Sequence, residues 1–480
     1  MLTLLFAFAC GGDKTHDSGD HDHDTGMEDT SSEDTGSGDT GSEDTGDDEI
    51  VIPETYNFEN DEGESTVSYS GQVARHLLIS DLKSTMGSLQ ASIDDASFTL
   101  VDKQDIVDYL SYTIDCPNDT CDELDVSGMS DVHATLGEIS GGKNLIGKLA
   151  GNDSATDHKV WTDGTSFKGW PGVDSPEALL RTWIEMTAEQ SVMAINGDDM
   201  QGGSATVSAA GHDLTQLVQK FLLGAVAFSQ GADDYLDSDV EGKGLLASNI
   251  PAEGKTYSGL GHAWDEGFGY FGAARDYTAY TDMEIKSGDK IDTNGDGAID
   301  PKSEGNKGHS VNAAKRDVGS EALAPTDYTQ QAWDGFIKGR ALINSKLGSE
   351  LSADDIETLK GYRDSAIDAW ERAIAATVLH YINDCIQDIN GYDGSDWSGY
   401  AKHWGELKGF ALGLQFNPRS HMSDSDFVAF HDLIGTAPVL PGDAGIEAYK
   451  TDLINARELL ANSYSFDAAL IGDADGNNGW

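Results

Sequence analysis

The sequence predicts an all-α protein: a large helical-bundle domain, or two packed bundles, with long loops and a disordered acidic N-terminal tether. Apolar residues recur at helical spacing in many segments, strand-like segments are few, and residues 11–49 contain almost no apolar side chains. The predicted domains are a signal peptide at 1–9, a lipidated cysteine and linker at 10–54, the helical domain at 55–470 and a flexible C-terminal tail at 471–480.

Helices are predicted where apolar residues repeat every three or four positions. The clearest stripe includes Leu214, Leu217 and Phe221. Another helix begins at Pro176, directly after Ser175, because an N-cap followed by proline in the first turn is a favourable helix start. The predicted helices cover residues 72–86, 176–195, 214–228, 262–277, 327–345, 353–389, 400–414, 424–435 and 446–462.

The remaining segments give weaker signals. Residues 66–69 and 98–101 resemble short strands that either pair or stay irregular. Residues 127–172 are rich in Gly, Asp and Ser, a composition typical of loops, so we expect a long surface excursion there.

The N-terminus resembles a bacterial lipoprotein signal. An apolar run from Met1 ends in small residues and Cys10, followed by two glycines. Cleavage before Cys10 and acylation of its thiol would produce an exported protein anchored to a membrane by lipid, with the outer membrane or cell surface as the expected location. The run lacks the usual initial Lys or Arg, so a misplaced start, a truncated signal and an apolar terminus without function stay open.

The segment after Cys10 is strongly acidic and repeats the triplet Asp-Thr-Gly. Residues 11–49 contain 15 acidic residues and one Lys, so about −41 of the chain's net charge of −55 belongs to the rest of the protein. Such a segment buries too little apolar surface to fold, and we expect an extended tether. The acidity of the whole chain argues against nucleic acid as a partner and against electrostatic attachment to anionic lipid.

The remaining cysteines have different predicted roles. Cys116 and Cys121 flank a turn sequence, and in an oxidising compartment we expect them to form a short-loop disulfide. Cys385 lies within an apolar helical pattern and is expected to be a buried free thiol.

A calcium-binding loop is predicted within residues 289–304. Asp292, Asn294, Asp296 and Asp300 take the side-chain ligand positions of an EF-hand-type loop, and Ala298 provides the backbone carbonyl. Gly297 occupies the position where the backbone must turn sharply. Position 12 is Ser303 rather than the usual Glu, with Glu304 next, so we expect a structural ion of modest affinity. A turn without metal is the alternative.

Two helical segments each pair a histidine with carboxylates. His262 precedes Asp265 and Glu266 at helical spacing, and His403 precedes Glu406. Residues three or four apart share a helix face. Imidazole and carboxylate groups are the ligands of metal sites in helical bundles, so these two segments predict a metal site. The alternative is a buried polar network that fixes helix packing.

Four phrases resemble the bacterial lipoprotein family called domain of unknown function 4856. They are YSGQVAR at 69–75, HDLTQLVQKFLLGA at 212–225, HAWDEGFGYFG at 262–272 and ELKGFALGLQFNP at 406–418. That family is similar in turn to imelysin-like proteins, exported helical bundles linked to iron acquisition, whose hallmark is Gly-x-His-x-x-Glu. The resemblance implies that the two histidine segments bind iron or another divalent metal. The match is partial, because the glycine adjoins His262 and no glycine precedes His403 at that spacing.

These observations favour a non-enzymatic envelope lipoprotein that captures a metal ion or small ligand between two helices. A metal-dependent peptidase or hydrolase using the same residues is one alternative. A surface interaction or scaffold protein, in which the His–carboxylate pairs only support packing, is the other.

Overall fold

The computed structural model describes residues 50–152, 159–161 and 163–480, and helices dominate them. Within these ranges the only extended pairings are isolated β-bridges, which confirms the predicted all-α class. The predicted signal peptide, Cys10 and the linker up to residue 49 lie outside the described residues. No helix in the described ranges combines the length and apolar character needed to cross a membrane.

The helices follow one another along the chain with loops of very different length. They are α1 Ser70–Gly87, α2 Leu89–Asp94, α3 Lys103–Asp115, α4 Leu136–Ser140, α5 Pro176–Asn196, α6 Leu214–Leu222, α7 Gly259–Phe271, α8 Asp282–Ser287, α9 His309–Ser320, α10 Tyr328–Ser345, α11 Ala353–Gly391, α12 Ser398–Gly413, α13 Asp424–Ile434, α14 Ile446–Tyr464 and α15 Ala468–Ile471.

Side-chain caps explain several helix starts. The Ser175 hydroxyl accepts a hydrogen bond from the backbone N–H of Ala178, and Pro176 occupies the first turn of α5, as predicted. Ser352 and Asp355 form a reciprocal capping box at the start of α11. These bonds satisfy backbone N–H groups that have no partner inside the helix.

The central element is α11, which runs for 39 residues and packs against α9, α10, α12 and α14. Its buried residues include Trp370, Ile374 and Ile382, all fully enclosed. Because residues three and four apart share one face, this stripe turns inward along most of the helix. Polar residues of α11 outside this stripe, such as His380, Asp384 and Asp388, stay partly exposed to solvent.

The helix beginning at Leu214 changes its hydrogen bonding where it crosses α12. After α6 it continues as π-helix over Leu223–Phe228 and again over Gln230–Tyr235. A Cβ atom at Gly224 would lie 2.6 Å from the Cα of Gly413 on α12, so the two backbones are in direct contact. Only glycine permits this approach. The predicted helix at 214–228 is therefore present, with an altered second half.

The three segments with weak sequence signals lie wholly or partly within the described residues. Residues 66–69 and 98–101 form no strand. The described residues of the predicted surface excursion contain α4 and a short 3₁₀ turn at Ile146–Lys148, and Leu136, Leu145 and Leu149 are buried. These three buried leucines anchor part of the segment to the core. Their irregular spacing gives no helix signal in the sequence.

The predictions for Cys116, Cys121 and Cys385 are confirmed. Cys116 and Cys121 form a disulfide with a Cα–Cα distance of 5.2 Å, and Cys385 is a buried free thiol.

The C-terminal residues 471–480 are not a flexible tail, and that prediction is corrected. The indole N–H of Trp480 donates to the Arg316 carbonyl at 2.9 Å, and its backbone N–H donates to the Leu470 carbonyl at 3.0 Å. The Asn383 amide on α11 donates to the Trp480 carbonyl at 3.0 Å. Burial of this large aromatic side chain, 5% exposed, fixes the segment.

Substitution Gly224→Ala is expected to lower the free energy of unfolding by about 1–3 kcal/mol, because the added methyl group would force two helix backbones apart. Urea denaturation would measure the change. Gly361→Ala is the matched control, since a Cβ there meets nothing within 4 Å in the middle of α11. That variant should gain up to about 1 kcal/mol through better helix propensity. Equal losses in both variants would contradict the close crossing.

Candidate functional site

The residues predicted to bind a transition metal separate into distinct environments. His262, Asp265 and Glu266 lie on α7, and His403 and Glu406 lie on α12. Within the described ranges, His262 and His403 contact no residue in common. The described ranges contain no group of three His, Cys, Asp or Glu side chains arranged to hold a metal ion. The predicted five residues therefore do not fit one metal centre.

Asp265 is a structural carboxylate rather than a ligand beside His262. Its Oδ1 lies 2.8 Å from Nε of Arg340 on α10, and both side chains are almost completely buried. The Tyr56 hydroxyl donates to Oδ1 at 3.0 Å and the Ser68 backbone N–H donates to Oδ2 at 3.0 Å. Arg340 also donates to the Thr66 carbonyl at 2.9 Å. These bonds fasten the extended segment 56–68 to α7 and α10.

Burial raises the pKa of the Asp265 carboxyl, an effect that the positive charge of Arg340 opposes. A buried carboxylate without its partner would be strongly unfavourable. If Asp265 bound a metal ion, the buried Arg340 guanidinium would lose its counter-charge. Helical spacing does not reveal this ion pair, and spacing alone therefore assigned Asp265 to the metal site.

His262 and Glu266 form the predicted pair on the outer face of α7. His262 Nε2 lies 3.7 Å from Glu266 Oε2, and the other ring nitrogen donates to the Ser68 carbonyl at 2.9 Å. The Gln72 amide donates to Glu266 Oε1 at 2.7 Å, and the Tyr257 ring lies 4.9 Å from the imidazole centre. Both members of the pair therefore already have polar or aromatic partners.

His403 and Glu406 point to different partners, although they share one turn of α12. Glu406 lies 3.3 Å from the ammonium of Lys220 on α6, and both side chains are about nine-tenths buried. Burial alone would raise the pKa of Glu406, but the charges of Lys220, Lys402 and His403 hold it below its usual value. Glu406 is therefore engaged as a counter-ion to lysine.

His403 instead joins a half-exposed cluster with three side chains of α11. We define the α11–α12 cluster as His380, Asp384, Asp388 and His403. His403 Nδ1 bonds Asp388 Oδ2 at 2.7 Å, and its Nε2 lies 3.9 Å from Asp384 Oδ2. His380 Nε2 lies 3.3 Å from the same Asp384 oxygen. The four side chains are 21–29% exposed, so solvent reaches them.

The cluster perturbs the proton affinities of its members. Burial raises the pKa of Asp384 to about 6. Burial would lower the pKa of His403, but its bond with Asp388 and the charge of Asp384 raise it. Perturbed groups that share one solvent-accessible surface are typical of functional sites.

Sequence reasoning missed Asp384 and Asp388 as site residues. The available signal was the spacing of four residues from His380 to Asp384 and again from Asp384 to Asp388, which places all three side chains on one face of a long helix. The fourth member, His403, joins them because α12 packs beside the C-terminal part of α11. Spacing within one helix does not reveal this contact between two helices.

The predicted calcium loop adopts a tight turn around Asp292. Its carboxylate accepts the backbone N–H groups of Gly295 at 2.7 Å and Gly297 at 2.8 Å. Asn294 Oδ1 accepts the N–H of Asp296 at 2.8 Å. Positive φ angles at Gly295 and Gly297 allow the reversal.

Glu304 is hydrogen-bonded to both ends of this loop. It is 1% exposed, and its two oxygens accept the backbone N–H groups of Thr293 and Asp300, each at 2.9 Å. Asp131, from a distant segment, accepts the N–H of Ile299 at 2.9 Å. The sequence placed Glu304 one position beyond the usual bidentate Glu, and the structure turns it back into the loop.

One segment of the chain matches a known protein family. Residues 180–288 match the family described as Domain of unknown function (DUF4856). The match begins within α5 and ends just after α8, so it includes His262, Asp265 and Glu266. The α11–α12 cluster lies outside it. The predicted resemblance to this family is confirmed, while similarity to imelysin-like proteins stays a prediction. No curated protein and no solved structure matches the chain significantly.

Substitution Asp265→Ala is expected to lower the free energy of unfolding by about 3–5 kcal/mol, because it leaves Arg340 buried without a counter-charge. Lys338→Ala on the same helix is the control. It breaks an exposed pair with Asp334, at 2.6 Å, and should cost less than about 1 kcal/mol. Urea denaturation of both variants tests this. Similar small losses would show that the buried pair does not hold the N-terminal segment.

Proposed function

We propose that this chain is a lipid-anchored, non-enzymatic protein of the cell envelope that captures a divalent transition metal ion, iron being one candidate. The observation that carries the proposal is the α11–α12 cluster, where two imidazoles and two carboxylates from two packed helices form a chain of three contacts of 3.3, 3.9 and 2.7 Å. In the described structure no three of these side chains are already arranged around one ion, so binding must rearrange them. The ligand site moves from the predicted five residues to this cluster, with His403 common to both.

The envelope location rests on the sequence signal at Cys10 and on a structural feature that agrees with it. The Cys116–Cys121 disulfide suits a protein that folds in an oxidising compartment, because reducing compartments keep such pairs as thiols. In this proposal the acidic segment holds the helical domain away from the lipid-anchored cysteine.

The chemistry of the cluster suits a borderline metal. Imidazole nitrogen together with carboxylate oxygen is a common donor set for Fe, Zn, Mn and Co in divalent form. Asp384 Oδ2 already lies near both His380 and His403 and would be the central ligand. Binding requires loss of the His403–Asp388 hydrogen bond and small rotations of both rings, since the side chains now bond one another.

The backbone positions of the four ligands are fixed, because all four side chains lie on two helices packed against each other. Glu406, the predicted ligand one turn from His403, is paired with Lys220 and would stay outside the metal shell.

Isothermal titration with Co²⁺ tests the cluster. His380→Ala and His403→Ala should each weaken binding by about 10- to 100-fold or more, because each removes one ligand. His262→Ala is the matched control, since that histidine also pairs with a carboxylate at 3.7 Å on a different helix, and it should bind Co²⁺ like the wild type.

Weaker binding in His262→Ala with normal binding in His380→Ala would return the site to α7. Absence of Co²⁺ binding to the wild-type domain would refute the proposed capture function and favour the scaffold alternative.

We also propose that the Asp292 loop binds a structural Ca²⁺ ion. Asp292, Asn294, Asp296, Asp300 and the Ala298 carbonyl would supply oxygen ligands, which calcium prefers. Support comes from the turn already formed around the Asp292 carboxylate and from Glu304 beneath it. Affinity in the range of extracellular modules, about 10⁻⁴–10⁻³ M, is expected.

Ca²⁺ should therefore raise the thermal unfolding midpoint, by an amount equivalent to about 2.7 kcal/mol at a hundredfold excess over the dissociation constant. The double substitution Asp292→Asn plus Asp296→Asn removes two negative charges from the loop while leaving one side-chain oxygen at each position, and it should abolish the shift. Asp393→Asn, in an exposed turn where the carboxylate accepts the Ser395 N–H at 3.0 Å, should leave it unchanged. A shift retained in the double variant would contradict the assignment.

A further inference from the structure

The proposed calcium loop is contacted by a segment that lies far away in the sequence. Residues 125–135 form a narrow antiparallel turn, in which the N–H of Val126 donates to the Ala134 carbonyl at 3.0 Å. We call these residues the Asp131 arm. Asp131 meets the loop at Ile299, 168 positions further along the chain. The arm therefore reaches the loop through a long-range contact that no local sequence pattern predicts.

Three contacts join the arm to the loop beside its predicted ligands. The backbone N–H of Asp131 donates to the Ile299 carbonyl at 3.0 Å, and Oδ2 of Asp131 accepts the Ile299 N–H at 2.9 Å. Nε2 of His133 lies 3.4 Å from Oδ1 of Asp300. Ile299 stands between Ala298, the predicted carbonyl ligand, and Asp300, the predicted carboxylate ligand. The arm thus contacts the stretch of loop that carries two of the predicted ligands.

The hydrogen bond from the Ile299 N–H has a direct consequence for the backbone ligand. This N–H and the Ala298 carbonyl belong to the same planar peptide group, which is trans. In a trans peptide group the N–H and the carbonyl point in opposite directions. Because the N–H points at Asp131, the Ala298 oxygen points away from the arm. The carboxylate also polarises the peptide group and increases the negative charge on that oxygen.

The arm is held firmly enough to position a ligand. Val126 within it and Leu136 directly after it are fully buried. The Ser130 hydroxyl oxygen accepts the N–H of His133 at 2.9 Å, which closes the tip into a tight turn. Ligand groups keep their geometry best when the residues that support them are themselves held by packing and hydrogen bonds. The Asp131 arm meets that condition.

We propose that Asp131 is a positioning residue of the calcium site and acts on the ion through the peptide group between Ala298 and Ile299. This inference rests on the calcium site proposed above. Asp131 would hold the Ala298 oxygen in its ligand orientation and make it a stronger electron donor, without entering the coordination shell itself. Outer-shell groups that orient a ligand commonly change metal affinity by a factor of about 10 to 100. His133 would support the neighbouring ligand, Asp300, from the same arm.

Thermal unfolding of the full-length protein over a series of CaCl₂ concentrations at constant ionic strength tests the proposal. Asp131→Ala should need about tenfold more Ca²⁺ than the wild type for the same rise in the unfolding midpoint. Asp131→Asn keeps a side-chain oxygen that can accept the Ile299 N–H, so its affinity for Ca²⁺ should lie between those of the wild type and Asp131→Ala.

Asp125→Ala is the matched control, because it removes the same charge from the same arm. The Asp125 carboxylate accepts the Ser127 N–H at 2.9 Å and does not bond the loop. The control variant should therefore bind Ca²⁺ like the wild type. Equal weakening of Ca²⁺ binding in Asp125→Ala and Asp131→Ala, or in Asp131→Asn and Asp131→Ala, would overturn the positioning role, because charge alone would then explain the effect.

Unfolding in the presence of a chelator separates this role from a merely structural one. Without Ca²⁺, Asp131→Ala should unfold close to the wild-type midpoint, because the backbone bond from residue 131 to the Ile299 carbonyl is retained. A loss of stability of equal size with and without Ca²⁺ would overturn the positioning role. Absence of any Ca²⁺-dependent shift in the wild type would refute the calcium site itself, and this inference with it.

Discussion

The buried ion pair between Asp265 and Arg340 is the interaction on which the arrangement of the rest depends. Two charges removed from water must be paired and hydrogen-bonded, and here the pair also binds Tyr56, Thr66 and Ser68. The pair sets the rotation of α7 against α10 and keeps the extended N-terminal segment in place. In this arrangement His262 and Glu266 lie on the outer face of α7. The solvent-accessible imidazole and carboxylate groups of the α11–α12 cluster lie on two other helices.

Much of the fold is predictable because large apolar residues mark the inner faces of α5, α6 and α11. Helix α9 was missed for a physical reason: its buried residues include His309, Ser310 and Arg316, and the others are small or polar, so no apolar stripe appears. The C-terminal segment was mistaken for a tail because its anchors are long-range contacts of Trp480, Gly476 and Asp475. The Trp480 indole reaches a carbonyl 164 positions earlier, which composition does not reveal.

The candidate site was only partly predictable. Helical spacing correctly paired His262 with Glu266, and it indicated His403 as a site residue. It failed in choosing partners, since His403 bonds Asp388 on another helix while Glu406, in its own turn, pairs with Lys220. Local rules specify which side chains share a face, but burial and cross-helix charges decide which of them meet.

The central claim is that buried charges in this protein serve structure and that the half-exposed α11–α12 cluster receives the metal. Anomalous diffraction from crystals of Co²⁺-loaded protein tests it most directly, because the ion itself is located. We expect the anomalous peak between His403 and Asp384, with His380 turned toward it and the Asp265–Arg340 pair unchanged. A peak beside His262, or one that draws Asp265 away from Arg340, would contradict the account.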